Sequence, residues 1–584
     1  MEKRVLLAIF LSFLVLYFYQ AFFVPAPPPG QKAKSTAPAA KSTESSGAAQ
    51  APAPAGGAQA APGSTAVPSS AAATPSPVVG DTAQREITVE TDLARVVLTN
   101  RGARILGWQL KRYEDERGGP FEMIPRGIPE EYPEPLALRL DDEAATERAN
   151  SALYQVSETG SSLRVAGRPA TITFEYKDQD GLSVRKALTF EPDSYVFKVA
   201  WDVSRGGEQL NPTVMWGPAL GPVAATPSSY HQRPQAMLYR SGKVERWNAG
   251  DLRETPVHEA QFRYVGVDEH YFAVLALPDA ASEVARFEPF EVPIPASDEK
   301  AVFVSWGIKV ARPQTSLRFF VGPKDFDVLQ QTDQELVRAI NYGIFSWLAV
   351  PLLRALKGIN AYVGNYGWSI IILTVLINLL MFPLRHKSVV SMRRMQELQP
   401  QIKAIQERYG KLKTTDPARQ KMNVELMNLY REKGVNPASG CLPMALTMPV
   451  LFAFYSLLSQ AIEIRHAPFA LWIEDLSVHD PYYVTPVIMG ATMLWQQKLT
   501  PTSADPAQQR MMMIMPLVFL FMFLWAPSGL VIYWLFSNLL AIAQQYATNR
   551  MIGPAMPAAP RPPAQRRLKK VGAGRTEAAE KGEG

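Results

Sequence analysis

The sequence predicts an α-helical polytopic membrane protein of six spans, carrying a large all-β sandwich after the first span and a helical hairpin after the second. Three observations carry that prediction. Uncharged apolar runs crowd into the first 24 residues and again beyond about residue 340. Between them, from 85 to 325, short segments alternate polar and apolar side chains and are separated by Asp-Gly and Pro-Asp turns. Basic residues gather in the segments that would lie on one side of the bilayer.

The composition narrows the class before any motif is read. The chain has 584 residues, a formal net charge of +6, six histidines and one cysteine. That length implies several domains. A single Cys excludes an internal disulfide framework and a cysteine-based metal cluster.

The elements follow in order. Lys3 and Arg4 precede an uncharged run, Val5 to Val24, that is long enough to span a bilayer and gives way to Pro25. Residues 1–24 are therefore read as an uncleaved transmembrane anchor, not a signal peptide, whose apolar core would be shorter. Residues 25–84 are almost entirely Ala, Pro, Ser, Gly and Thr, too poor in apolar side chains to order themselves, and read as a disordered linker. Residues 85–325 are the β sandwich. Residues 326–361 are amphipathic and aromatic-rich but too charged to cross, so a helix lying in the membrane interface is expected.

The five-span core, 362–549, comes next. Tyr362 to Leu384 carries no charge, Cys441 to Ile462 is a second run, and Tyr482 to Gln497 is a short one. Met511 to Asn549 holds 39 uncharged residues, too many for one crossing at about 1.5 Å per residue, and Pro527-Ser528-Gly529 divides it in two. Between Arg385 and Lys433 lie twelve Lys and Arg against five acidic residues, and the tail 550–584 is also basic. Both termini are therefore expected in the cytoplasm and the β domain outside. Within the basic stretch, Met395, Leu398, Ile402, Ile405 and Tyr409 repeat at helical spacing, and Met422, Leu426 and Leu429 resume the period after Pro417. A helical hairpin over 388–434 is expected, kinked at Pro400.

No phosphate-binding, zinc-protease or nucleophile-elbow motif is present. The richest polar constellation is "HEAQFRYVGVDEH", with His258, Glu259, Asp268, Glu269 and His270. On strands it could form a sugar-processing or metal site, or simply a polar hairpin with a packed histidine. One intramembrane residue stands out: Asn378, an amide inside "TVLINLLMFPLR". A polar group at that depth is costly and marks helix packing or a functional pocket. Arg385 lies seven residues on, about 10 Å along the helix and on nearly the same face, and Pro383 should bend the path between them.

From Gly367 on, the chain resembles the YidC family of membrane protein insertases, of the Gram-negative type with a large periplasmic domain. The resemblance rests on "GWSIIILT", "MFPL", "SMRRMQELQPQI", "LYREKGVNPASGCLPMALTMPVLFAFY", "RHAPFALWIEDLSVHDPYY", "MGATM" and "FLWAPSGLVIYWLFSNLLAIAQQ", and continues more loosely upstream through "DEHYFAVLALP". It implies a hydrophilic groove open to cytoplasm and lipid, a mutarotase-like periplasmic sandwich without sugar chemistry, and a cytoplasmic hairpin that receives clients. By motif position, Thr374, Leu451, Met489, Met522, Tyr533 and Trp534 would contact the client, with Asn378 lining the groove. The family commonly carries an Arg or Lys at the position of Asn378. Here the cation is expected at the groove mouth, on Arg385 and Lys387. In the hairpin, Arg393, Arg394 and Lys403 would supply a basic surface. The expected function is membrane-protein insertion and folding without enzymatic chemistry or cofactor. The expected partners are nascent membrane proteins, ribosome–nascent chain complexes, the Sec translocon with its accessory subunits, and membrane lipids, with no specific nucleic-acid sequence. A small-molecule transporter and a membrane-tethered sugar-modifying enzyme are the alternatives. The absence of Asp, Glu, Lys, Arg or His from the span centres argues against the first.

Overall fold

The computed structural model describes residues 77–552, apart from 116, 126–127, 129–131, 218–219, 222–232, 279–282, 294–299, 312–314, 410–417, 436–441 and 500–505. The predicted anchor 1–24, most of the linker and nearly all of the tail lie outside the described residues.

Period-2 patterning becomes a two-layer β structure. Leu182–Phe190 pairs antiparallel with Ala170–Asp178 on one side and with Val196–Arg205 on the other, within an eleven-stranded sheet that runs from Pro77–Val79 to Lys243–Trp247. Two five-stranded sheets complete the domain. Trp108 of one packs on Phe190 and Phe197, while Trp216 and Trp306 of the other pack on Phe319. Phe197 pairs across strands with both Phe190 and Phe319, so all three rings lie on one face of the large sheet. Both small sheets therefore cover that same face. Lys186 also points inward on this face, fully buried. Its ammonium donates to the carbonyls of Gly102 (2.7 Å), Ala103 (3.2 Å) and Leu136 (2.7 Å) and thereby ties the layers together. Burial pushes its pKa well below the usual lysine value. The pairing begins earlier than composition suggests. Pro77–Val79 lies inside the stretch predicted as linker, but its edge position beside Ala170–Asp178 tolerates a proline that lacks an N–H.

Among the described residues two helices lie within the β domain, α1 (Glu143–Ser151) and α2 (Ala249–Glu254). The chain leaves it through α3 (Phe326–Thr332), which is N-capped by Asp325. Here the structure corrects the expectation of one interfacial helix over 326–361. The segment is α3, two 3-10 turns at Leu336–Ala339 and Gly343–Phe345, and then α4 (Ser346–Val363). Gly343, at φ +68°, takes a left-handed conformation that interrupts any continuous helix. α4 is amphipathic, with Ala349, Leu353 and Leu356 buried and Trp347 exposed. Gly364, also left-handed, ends it, and Asn365 caps the next helix.

That next helix, α5 (Tyr366–Glu397), keeps its helical hydrogen-bonded path through Pro383. Its 32 residues extend about 48 Å, beyond the ~30 Å hydrocarbon core, so its basic end projects from any bilayer it crosses. The helix ends at Leu398, before α6 (Gln399–Tyr409), whose first turn holds Pro400. α7 (Ala418–Glu432) packs against α6 through Leu398, Ile402 and Val435, with Leu426, Leu429 and Tyr430. α8 (Leu442–Gln460), α9 (Val484–Leu499), α10 (Pro506–Phe523) and α11 (Ser528–Ile552) complete the core. Among the described residues, α5 and α11 are long and apolar enough to cross a membrane.

Candidate functional site

The polar interior of the helical core starts from local helix geometry. Residues four apart on α5 stack on one face, so Thr374 donates its hydroxyl to the Ile370 carbonyl (2.6 Å), and Asn378 donates its amide to the Thr374 carbonyl (2.8 Å). The Asn378 side-chain oxygen then accepts from a guanidinium nitrogen of Arg385 at 2.7 Å. Helical side chains lean toward the N-terminus, which lets the long Arg385 side chain climb two turns back to Asn378. A buried amide and a half-buried cation thus meet at one level of the helix. Arg385 is also within electrostatic reach of Tyr533 on α11.

The remaining predicted residues fall into three environments. Met489 on α9 and Tyr533 are buried, and the Tyr533 ring stacks on Phe454 of α8 at 4.2 Å. Leu451 and Trp534 are half-buried, with Trp534 against Phe519 (5.6 Å) and Phe523 (5.0 Å) of α10. Met522 is exposed on α10. Thr374, Asn378 and Arg385 therefore come together on α5, whereas Met522 is exposed on its helix. In the hairpin, Arg394 and Lys403 are exposed, while Arg393 is half-buried and has one guanidinium nitrogen enclosed without a hydrogen bond.

Sequence reasoning missed the polar face of α11. Asn538 donates to the Thr492 hydroxyl of α9 (3.4 Å), Gln544 donates to the Phe382 carbonyl of α5 (3.2 Å), and Thr548 lies 3.2 Å from His386 Nδ1. Asn538, Gln545 and Thr548 are buried, and their spacing of seven and three places them on one helical face. That spacing was a legible signal in "SNLLAIAQQYATN".

The polar constellation of the β domain disperses. His258 lies on Val257–Ala260 in a small sheet, its ring 4.4 Å from Trp247, and burial lowers its pKa, with Arg240 acting in the same direction. Asp268 ends Tyr264–Asp268 in the large sheet and is paired with Lys324 (2.9 Å) and Arg246 (3.2 Å). Burial pushes Asp268 upward, but those two cations outweigh it and hold the carboxyl below its usual value. Among the described residues no cluster of three or more His, Cys, Asp or Glu is arranged to hold a metal.

Residues 86–355 match the family model of the YidC periplasmic domain, and residues 358–555 match that of the 60Kd inner membrane protein. The chain is 35% identical over 575 residues to the membrane protein insertase YidC of Syntrophus aciditrophicus (strain SB), covering 94% of this chain and all of that one. It is 37% identical over 571 residues to the membrane protein insertase YidC of Citrifermentans bemidjiense, again covering 94% of this chain and all of the relative. Among solved structures, an active YidC insertase with its first transmembrane domain resolved is similar at 20% identity, over 81% of this chain and 95% of that one, with a TM-score of 0.33.

Proposed function

Since this chain belongs to the YidC family of membrane protein insertases, we propose that it inserts its clients through the polar interior built around Asn378 and Arg385. The protein is an inner-membrane insertase with a periplasmic β domain, and it is not an enzyme. In our reading six spans cross the membrane, with both termini in the cytoplasm. The hairpin α6–α7 projects there and receives ribosome-bound nascent chains, and the protein works alone or beside the Sec translocon. No cofactor is required.

The mechanism is solvation. Moving a charged client residue through the hydrocarbon centre costs roughly 2.5–3.5 kcal/mol on insertion scales, and every unpaired backbone group adds to that. A polar interior offers those groups partners part-way across. Asn378 supplies a donor and an acceptor, and Arg385 supplies a cation at the same level. Partition of the client's apolar segment into lipid, at about 25 cal/mol per Å² removed from water, then drives release. Aromatic and Met side chains such as Tyr533, Trp534 and Met489 give adaptable apolar contacts to varied clients. Intramembrane charge pairs of the kind an ion-coupled transporter uses are not part of this scheme, and the dispersed polar residues of the β domain offer no sugar chemistry.

The single observation that carries the reading is the ladder from Ile370 to Arg385, a continuous polar track on one face of α5. A photo-crosslinker at Tyr533 tests it. Adducts with several ribosome-bound nascent membrane proteins are expected, and adducts with none of them would refute this route.

A further inference from the structure

The segment 461–483, between α8 and α9, joins the ends of three helices. Asn365, the cap of α5, donates its amide to the carbonyls of Pro468 (3.1 Å) and Phe469 (2.9 Å). The Phe469 ring lies so close over Gly367 that any Cβ there would clash with it. At the start of α11, the backbone N–H groups of Ser528 and Gly529 donate to Val478 (2.7 Å) and Leu476 (2.9 Å). At the start of α9, the Asp480 carboxylate accepts from the N–H and hydroxyl of Thr485 (2.7 and 2.8 Å) and from Trp472 Nε1 (2.9 Å). One segment thus satisfies free helix-terminal N–H groups on α9 and α11, holds the capping side chain of α5, and covers the end of the core where all three begin.

The same segment also reaches the β domain. Arg465 places its guanidinium over Phe121 (5.4 Å), Phe272 (5.5 Å) and Tyr271 (5.8 Å). Phe121 and Phe272 are themselves stacked at 4.0 Å. A planar guanidinium suits such a site, since it stacks on rings and sheds water more readily than an ammonium. Two residues earlier, the buried Glu463 pairs with Lys357 of α4 (3.2 Å), and Lys357 also pairs with Asp327 at the exit of the β domain (2.7 Å).

We propose that the β domain clamps segment 461–483 over the ends of α5, α9 and α11 by holding Arg465 in its aromatic box, and so keeps the core sealed on the side that faces the domain. Arg465 is a positioning residue: it touches no client and acts through the segment it anchors. The proposal rests on the insertase reading for its sidedness, with the β domain outside and the core open toward the cytoplasm.

The test uses the full chain in the membrane, with Cys441→Ser as background and Ser369→Cys as reporter. Ser369 is fully buried in the first turn of α5, two residues after Gly367, which the Phe469 ring covers. A membrane-impermeant maleimide added on the β-domain side should label the reporter slowly, and Arg465→Ala should speed labelling tenfold or more. Arg465→Lys should restore part of the protection. Phe121→Leu, which alters the box from the other side, should reproduce the effect. Unchanged labelling in both Arg465→Ala and Phe121→Leu would overturn the clamp. So would faster labelling accompanied by loss of the β domain's protease resistance, since the segment would then open because the domain unfolds. An Asn378→Cys reporter labelled from the opposite side judges the groove separately. If it is unreachable there, the insertase route fails while the outcome for Arg465 stands.

Discussion

At the scale of single residues, the bond between Asn378 and Arg385 decides how the core presents its charge. A hydrogen bond to a charged group is worth about 1.5–3 kcal/mol, and breaking it leaves a half-buried guanidinium without its Asn378 acceptor. Asn378→Leu should therefore slow client insertion by about tenfold or more, measured as a time course at matched expression, since ~1.4 kcal/mol corresponds to a factor of ten. Asn378→Arg alone would set two guanidinium groups side by side. The exchange Asn378→Arg with Arg385→Asn restores one amide and one cation and should recover most of the rate. Arg385→Glu should impair clients with acidic translocated tails more than those with neutral tails. Equal effects on both classes would remove any role for the cation in client choice.

At the scale of elements, the hairpin grows directly out of a continuous core helix. α5 carries its helical path past Pro383 and ends only at Leu398, so the basic residues Arg393 and Arg394 ride on the projecting end of a core helix. The apolar seam of Leu398, Ile402, Leu426 and Leu429 closes α6 on α7, and Arg408 pairs with Glu425 (2.7 Å) on the outside. Because Arg393 is half-buried, reversing it would disturb packing as well as charge. Arg394 and Lys403 are exposed, and the pair Arg394→Glu with Lys403→Glu tests charge alone. It should weaken capture of client-bearing ribosomes several-fold at low salt. The difference should shrink at higher salt, since exposed charges are screened beyond about 8 Å at physiological ionic strength. Binding equal to that of the unaltered protein at every salt concentration would rule out an electrostatic contribution.

At the scale of the whole molecule, two compact bodies meet at a junction formed by Lys357, Glu463 and Arg465. The polar track and the hairpin both lie after residue 340. A chain that keeps the N-terminal residues, a shortened linker and everything from about 325 on should therefore still insert clients. It should also lose the aromatic box, so the Ser369→Cys reporter should label faster from the β-domain side. Normal expression with complete loss of insertion would show that the β domain is part of the insertion machinery.

Much of this was legible in the sequence, because strand and helix patterns are local. Alternation along Leu182–Phe190 placed one face in a core, the 3.6-residue period marked the hairpin, and long uncharged runs marked the core helices. Asn378 declared itself by standing alone in an apolar run, and its spacing from Arg385 already put both on one face. Other features depended on residues far apart in the chain. Nothing near Lys186 announces the carbonyls of Gly102 and Leu136 as its partners, and nothing near Arg465 announces Phe121. The break of the interfacial segment into α3, two 3-10 turns and α4 likewise followed from docking on the β domain and from a left-handed Gly343. Periodicity tells a side chain which face it occupies, because that depends only on backbone geometry. Which surface meets that face is set by packing between distant segments, and only the folded chain decides it.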